Sequence, residues 1–214
     1  MNIFHPFRFI PKHDIECVAI NVIEAMKVTP NYIPQFPLDA SRIAEFLGLD
    51  VVWDSIPDDA EGQIAARILP LDKLIEINDR IPNLQGGFGE STIAHEIGHW
   101  LLHIDRAKVD RMSRMRDRDI KITVDPLLCR STEQSDGIEW QAQYFAGCLL
   151  MPLDRLQNAC KDRDLTQWSV LYDLAEEFGV TISNLVHRLR DLNWIEIEDE
   201  SRQIYRKDAV MVSV

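Results

Sequence analysis

Residues 91–103 have the sequence Ser91-Thr92-Ile93-Ala94-His95-Glu96-Ile97-Gly98-His99-Trp100-Leu101-Leu102-His103. At its centre stands H-E-x-x-H, with histidines at positions 95 and 99. On a helix this spacing is about one turn, so both imidazoles point the same way and can ligate one ion. Apolar neighbours such as Ile93 and Trp100 predict a helix over about residues 91–103 that packs on a core.

The residue types of this motif favour zinc. Zn²⁺ accepts imidazole nitrogen, and its catalytic sites hold three protein ligands and a water. Glu96 sits beside such an ion without ligating it, which places it to take a proton from the water. We therefore predict His95 and His99 as ligands of one Zn²⁺ per chain, and Glu96 as the catalytic residue. Gly98 is a poor helix former, at up to ~1 kcal/mol against Ala, so we expect a close approach to the helix there.

The third ligand must come from elsewhere in the chain. One known pattern places a third His six residues after His99, but that position is Asp105. His103 continues along the same helix, too far to share the ion, and is expected to be a structural or supporting group. Glu139 opens a helical pattern over residues 138–150, where a carboxylate also suits the helix dipole, and is the favoured ligand. Glu133, in a polar stretch, is the alternative.

Composition describes an ordinary globular chain. Its 214 residues are 46% hydrophobic and 27% charged, enough for one core and a small appendage. The formal net charge of −12 gives no general attraction to phosphate, so direct nucleic-acid binding is not expected. Apolar runs fall short of the roughly 20 residues of a membrane helix, and the N-terminus has no signal-peptide pattern. We expect a cytoplasmic protein with no membrane partner.

The four cysteines form no C-x-x-C pair, so reduced, buried thiols are expected. They are Cys17, Cys129, Cys148 and Cys160. Cys129 is a candidate to approach the zinc, although a small buried thiol is the favoured interpretation.

Hydrophobic periodicity, together with Pro and Gly positions, predicts an α+β chain. Helices are expected at 12–28, 39–47, 91–103, 138–150, 166–178 and 181–192, and strands at 51–53, 63–69, 74–78, 120–124, 194–198 and 203–206. The second and third strands should form a hairpin, and so should the last two. Residues 81–89 are glycine-rich and predict a loop, whereas residues 105–119 predict a charged helix or a mobile loop.

Several blocks together resemble the ImmA/IrrE family of bacterial and phage metallopeptidases. The blocks lie within roughly residues 12–152: Pro37-Leu38-Asp39, Ile43-Ala44, Leu47-Gly48-Leu49, Leu74-Ile75-Glu76-Ile77-Asn78, residues 93–103, Glu139-Trp140-Gln141-Ala142, Phe145-Ala146 and Leu149-Leu150-Met151-Pro152. The resemblance implies a zincin-like core of the gluzincin type, with a small antiparallel sheet packed on helices and zinc held by two His and one Glu. The family pattern in the later helix is commonly E-x-E-A. Here Gln141 stands at the position of the second acidic residue, so the resemblance leaves Glu139 as the ligand.

Three further residues are candidates for supporting roles. Gln143, one turn after Glu139, is placed either to hydrogen-bond the distal nitrogen of a ligating His or to face solvent. Tyr144 and His103 are candidate donors to the oxyanion of the transition state.

The resemblance also implies a function. Family members cleave helix-turn-helix repressors of the phage type, so the expected activity is zinc-dependent hydrolysis of a peptide bond in such a repressor, which derepresses mobile-element or stress genes. Two alternatives stay open. One is a zinc-containing regulator that binds a repressor or toxin partner without cutting it. The other is a DNA-binding regulator that uses the C-terminal segment.

We expect a zincin-like metallopeptidase domain over residues 1–152 and a C-terminal segment over 153–214. In that segment the two predicted helices around Gly179 resemble a helix-turn-helix, and the hairpin resembles its wing. Residues 161–214 hold seven basic and eleven acidic residues, so packing on the core or docking of a protein substrate is favoured over DNA binding.

Overall fold

The computed structural model describes residues 3–81, 86–130 and 137–207, which form helices and two small sheets. The helices are α1 (Lys12–Lys27), α2 (Ala40–Phe46), α3 (Gly87–Leu102), α4 (Arg106–Arg116), α5 (Ile138–Leu150), α6 (Leu153–Cys160), α7 (Trp168–Glu177) and α8 (Ile182–Asp191). The strands are β1 (Asp50–Asp54), β2 (Ile64–Leu69), β3 (Leu74–Asn78), β4 (Leu127–Arg130), β5 (Ile195–Ile197) and β6 (Ile204–Arg206). The α+β class is confirmed. Among these described helices, none has the length and apolarity to cross a bilayer.

The larger sheet has the strand order β1-β3-β2-β4. β2 and β3 form the expected antiparallel hairpin, in which Leu69 lies opposite Leu74. β4 pairs antiparallel with the other edge of β2. β1 does not lie beside β2, because β3 stands between them, and β1 runs parallel to β3. The expected antiparallel pairing holds for two of the three strand pairs, and the parallel β1–β3 pair makes the sheet mixed.

α3 is buried on almost every side, because twelve of its sixteen residues are buried. It packs between α5 and the sheet strand β2. At Gly98 the backbone of α5 comes so close that a methyl group there would lie 3.0 Å from the Cα of Ala142. The predicted close approach at Gly98 is confirmed, and it brings the motif helix directly against the helix that carries Glu139.

Replacing Gly98 by Ala should lower the free energy of unfolding by about 1–3 kcal/mol, the usual cost of overpacking a core. This loss is expected even though Ala is the better helix former. Gly147→Ala on α5 is the matched control, since its methyl would meet only the Cδ of Arg188 at 3.6 Å, an ordinary contact. Urea unfolding of both variants checks the prediction. A Gly98→Ala variant as stable as the control would show that α3 and α5 do not touch there.

Two predicted elements differ from the observed ones, one open alternative is decided, and one helix was not predicted. α3 begins at Gly87, inside the predicted loop, because Gly87 packs so closely on the Val180 backbone that a Cβ would lie 2.6 Å away. Residues 120–124 are not a strand; β4 comes after Pro126, where residues 127–130 pair with the open edge of β2. The charged stretch forms a helix, α4, and periodicity did not predict α6.

The C-terminal segment packs on the rest of the chain. α7 and α8 lie around Gly179, and β5 and β6 form the predicted hairpin. Leu185 and Leu189 of α8 join the hydrophobic cluster that includes side chains of α1 and α5. Arg188 is 2% exposed and pairs with Glu16 of α1 at 2.5 Å. One face of α8 is therefore fixed against α1 and α5.

Candidate metal centre

Three side chains from α3 and α5 converge on one point. The Nε2 atoms of His95 and His99 are 3.0 Å apart, and the carboxylate of Glu139 lies 3.1 Å from the first and 3.4 Å from the second. Ligand atoms about 2.0–2.1 Å from a tetrahedral zinc ion are separated by about 3.3 Å. The observed spacing therefore fits one metal ion, and the three residues form a group that is able to hold it.

Two of the three groups, His99 and Glu139, have the protonation that suits a metal. Burial acts to lower the pKa of His95, but Cys129, Glu139 and Glu96 beside it raise that pKa well above its usual value. Burial lowers the pKa of His99 to about 4, so its imidazole is neutral near pH 7. Burial acts to raise the pKa of Glu139, but hydrogen bonds with His95 and His99 outweigh it and hold that pKa well below its usual range. A neutral imidazole and an ionised carboxylate are the forms that bind metals.

Glu96 lies beside this group in the interior. Its side chain is fully buried, and within the part of the chain that the structure describes neither carboxylate oxygen has a hydrogen-bond partner. A buried carboxylate without partners is costly unless another group at the site compensates it. Burial raises the pKa of Glu96 to about 7, which is the range in which a carboxylate exchanges protons efficiently at neutral pH. These are the properties expected of a general base next to a metal.

A relay of hydrogen bonds fixes the orientation of His99. Gln141 donates from Nε2 to the backbone carbonyl of Arg8 at 2.9 Å, so its Oε1 must face His103 as an acceptor. His103 therefore carries its proton on Nε2, 2.9 Å from that oxygen, and its Nδ1 accepts from the Nδ1 of His99 at 3.0 Å. The relay leaves the Nε2 of His99 without a proton, and this atom faces His95 and Glu139.

The relay bears on the roles predicted for two residues. Both ring nitrogens of His103 are hydrogen-bonded, to His99 and to Gln141, which favours the supporting role over the alternative of an oxyanion donor. Gln143 is exposed, and among the described residues no hydrogen bond joins it to either ligating histidine. Gln141, rather than Gln143, is connected to His99, and the connection runs through His103. Sequence reasoning missed it because its partner, the Arg8 carbonyl, is 133 positions away.

Replacing Gln141 by Leu should weaken zinc binding by up to about 10-fold, the lower end of the ~10–100-fold that follows from losing the direct partner of a metal-ligating His, because Gln141 acts on His99 only through His103. Gln141→Glu keeps an acceptor for His103 and should bind zinc more tightly than the Leu variant. Gln143→Ala is the matched control on the exposed side of α5 and should not change affinity. Competition with a chromogenic zinc chelator measures all three. Equal affinities for wild type and Gln141→Leu would show that the relay does not support zinc binding.

A cavity of about 610 Å³ opens beside the metal-binding group. His95 and Glu139 line one side of it, and Tyr144 also borders it. The opposite wall comes from the C-terminal segment, through Ser183, Asn184, His187 and Asp191 of α8. Asn184 also donates a hydrogen bond to Ser91 on α3. The cavity volume lies in the range of ligand-binding clefts, so α8 is part of the wall that a bound molecule would contact.

Other predicted site residues are placed as follows. Tyr144 is 6% exposed, and burial raises the pKa of its hydroxyl, so it stays a neutral donor at the cavity wall. Cys129 lies on β4 at the same wall and forms a second group with His95 and Glu96. Among the described residues no disulfide is present, and all four cysteines are free. Glu133, the alternative ligand, lies outside the described residues.

A buried H-E-x-x-H helix, a carboxylate from a second helix and a small mixed sheet together define a metallopeptidase-type protein. The chain belongs to the family of the IrrE N-terminal-like domain, Peptidase_M78, whose model matches residues 72–190. This match confirms the resemblance to the ImmA/IrrE family.

A solved structure described as a Mycobacterium tuberculosis transcriptional regulator has a similar fold. It is 20% identical, with a TM-score of 0.50, over 89% of this chain and 49% of that one. This chain therefore spans about half of the length of that protein. A search of the curated proteins finds no match.

Proposed function

We propose that this protein is a zinc-dependent endopeptidase of the gluzincin type, with one Zn²⁺ per chain held by His95, His99 and Glu139. The observation that carries the proposal is the convergence of these three side chains beside Glu96, a fully buried carboxylate that has no hydrogen-bond partner among the described residues. Membership of the Peptidase_M78 family supports the same reaction class.

The side chains divide the work of hydrolysis. Zinc, when bound, supplies a Lewis acid that polarises the scissile carbonyl and lowers the pKa of a water. Glu96 takes the proton of that water and later delivers it to the leaving amine. His99 is oriented by the relay through His103, so it needs no rearrangement to act as a ligand. Tyr144, neutral at the cavity wall, is the proposed donor to the oxyanion.

The proposed substrate is a helix-turn-helix repressor of the phage type in the cytoplasm, whose cleavage derepresses mobile-element or stress genes. Its class is carried over from the family resemblance. The proposed boundary between the metallopeptidase domain and the C-terminal segment lies at residue 152. We propose that the segment, residues 153–214, helps to hold the substrate, because α8 forms one wall of the cavity. The position of Arg188 supports this role over DNA binding, since its guanidinium is buried against Glu16 and has no access to a phosphate backbone.

The test is to incubate the zinc-loaded protein with a purified helix-turn-helix repressor of the phage type from the same genome and to sequence any fragments by mass spectrometry. We expect cleavage at one site, and no cleavage by His99→Ala. A stable complex without fragments would favour the non-proteolytic regulator. A gel shift of operator DNA by the full chain at low salt, without repressor, would favour the DNA-binding alternative.

A further inference from the structure

A second cavity adjoins the first cavity, the one beside the metal-binding group. Its volume is about 280 Å³, and it lies between α7, α8 and the turn of the β5–β6 hairpin. Ser183 and His187 of α8 line both cavities. Both residues are exposed and stand about one helical turn apart, so they form a ridge between the two spaces. A chain that leaves the first cavity over this ridge enters the second.

The second cavity has an apolar lining and one aromatic wall. Ile182 and Val186 of α8 and Ile197 of β5 supply the apolar lining and pack against the core. Trp168 and Tyr172 of α7 form the aromatic wall, with ring centroids 6.5 Å apart. Tyr172 is 57% exposed, although a large aromatic ring gains from burial. An exposed aromatic ring beside an apolar lining is typical of a site that buries a partner's side chain.

The charged groups around the second cavity balance one another. Two arginines and two acidic residues border it: Arg190, Arg202, Glu198 and Asp199. Arg190 lies 3.9 Å from Asp199, and the guanidinium of Arg202 lies 5.7 Å from the centre of the Trp168 ring. Equal numbers of opposite charges give the cavity no preference for an anion or a cation. An apolar or aromatic side chain therefore suits it better than a charged one.

The second cavity is held in a fixed position relative to the metal-binding group. The side chain of Asn184 on α8 donates a hydrogen bond to the hydroxyl of Ser91 on α3. Gly87 of α3 packs closely on the backbone of Val180, in the turn before α8. These contacts join α8 to the helix of the H-E-x-x-H motif, so the spacing between the two cavities is set by the fold.

We propose that the second cavity is an anchoring site for the protein substrate and holds one of its large apolar or aromatic side chains. The proposal rests on the proposed function, because the anchored residue and the cleaved bond belong to one polypeptide. The substrate of an endopeptidase continues past the cleaved bond, and α8 borders the same cavity as His95 and Glu139. An extended chain crosses the ~10–12 Å width of a helix in about three or four residues. The anchor thereby selects which bond of the substrate is cleaved.

Truncating the exposed aromatic ring tests the anchor. Two substrates are compared: the intact repressor, and a capped peptide of about four residues centred on its cleavage site, which is too short to cross α8. The ratio of kcat/KM for the repressor to kcat/KM for the peptide should fall about tenfold in Tyr172→Ala, a common cost of truncating an aromatic anchor. Tyr205→Ala is the matched control and should keep the wild-type ratio, since Tyr205 is 51% exposed on β6 and does not border the second cavity.

The outcomes separate this inference from the proposed function. An unchanged ratio in Tyr172→Ala, or an equal fall in Tyr205→Ala, would overturn the anchor and leave the proposed peptidase standing. An unchanged ratio together with a change in the oligomeric mass of Tyr172→Ala would assign the cavity to a second copy of this chain instead. Failure of the wild type to cleave either substrate would overturn both proposals.

A second measurement uses only the wild type and therefore does not depend on the folding of a variant. Peptides with the repressor's own sequence are lengthened from the cleavage site by one residue at a time, separately in each direction. KM should fall about tenfold in one step, when a large apolar or aromatic side chain is added about three to five residues from the cleaved bond. Replacing that side chain by Ala should abolish the step. A KM that falls smoothly with length, or a step that survives the Ala replacement, would contradict the anchor.

Discussion

Replacing Glu96 by Gln is expected to abolish peptide-bond cleavage and to leave one zinc ion bound per chain. The amide has the shape of the carboxylate but cannot accept the proton of the attacking water. General-base catalysis contributes ~10²–10⁴-fold to rates, so kcat should fall by about that factor. Zinc should stay because the ligating atoms belong to His95, His99 and Glu139. Steady-state cleavage of the repressor and metal analysis of the same preparation measure both quantities.

The loss must be separated from a loss of folding. Glu96 is fully buried and lacks hydrogen-bond partners among the described residues, so removing its charge should not lower the melting temperature of the protein. Glu24→Gln is the matched control, since it makes the same chemical change in an exposed ion pair on α1 and should cleave normally. Cleavage by Glu96→Gln at the wild-type rate would rule out the proposed mechanism.

Replacing Glu139 by Ala should remove zinc from the protein. The change deletes one of three ligands, a larger loss than the ~10–100-fold in affinity that follows from removing a partner of a ligand. It also removes the hydrogen bonds that His95 and His99 make with the carboxylate. Metal analysis after dialysis against a zinc chelator should find one zinc ion per chain in the wild type and much less than one zinc ion per chain in the variant. Cleavage should be lost in parallel.

Glu133→Ala is the control for this experiment, because Glu133 is the acidic residue that sequence reasoning kept as the alternative. It should retain zinc and activity. The assignment of Glu139 fails if Glu139→Ala keeps its zinc, and loss of zinc from Glu133→Ala alone would transfer the ligand role to that residue. Circular dichroism of both variants checks that the helices remain.

Local patterns predicted much of the fold and the centre of the site. The spacing of His95 and His99 predicts a helix, and α3 is that helix. Gly98 predicted the close contact with α5, because glycine lowers the stability of a helix and is expected there only where another element approaches closely. Glu139 followed from the need for a third ligand and from the family resemblance. The helix and its close contact follow from periodicity and residue type within a few neighbouring residues, so local sequence is enough to predict them.

Features that depend on long-range packing were not predicted. The parallel pairing of β1 with β3 depends on β3 lying between β1 and β2, which strand patterns do not specify. The relay joins Gln141 to a backbone carbonyl near the N-terminus, and carbonyls carry no sequence signal. For Cys129 the sequence favoured an ordinary buried thiol and left an approach to the zinc as the alternative, because only the folded sheet shows that β4 brings it beside His95 and Glu96.

The proposed metal centre is one zinc ion bound by two histidines of α3 and one glutamate of α5. X-ray diffraction from crystals of the purified protein, collected on both sides of the zinc absorption edge, tests it most directly. We expect an anomalous peak about 2.0–2.2 Å from the Nε2 atoms of His95 and His99 and from the carboxylate of Glu139. A zinc-loaded crystal with no peak at these three atoms, or with the peak bound to other side chains, would contradict it.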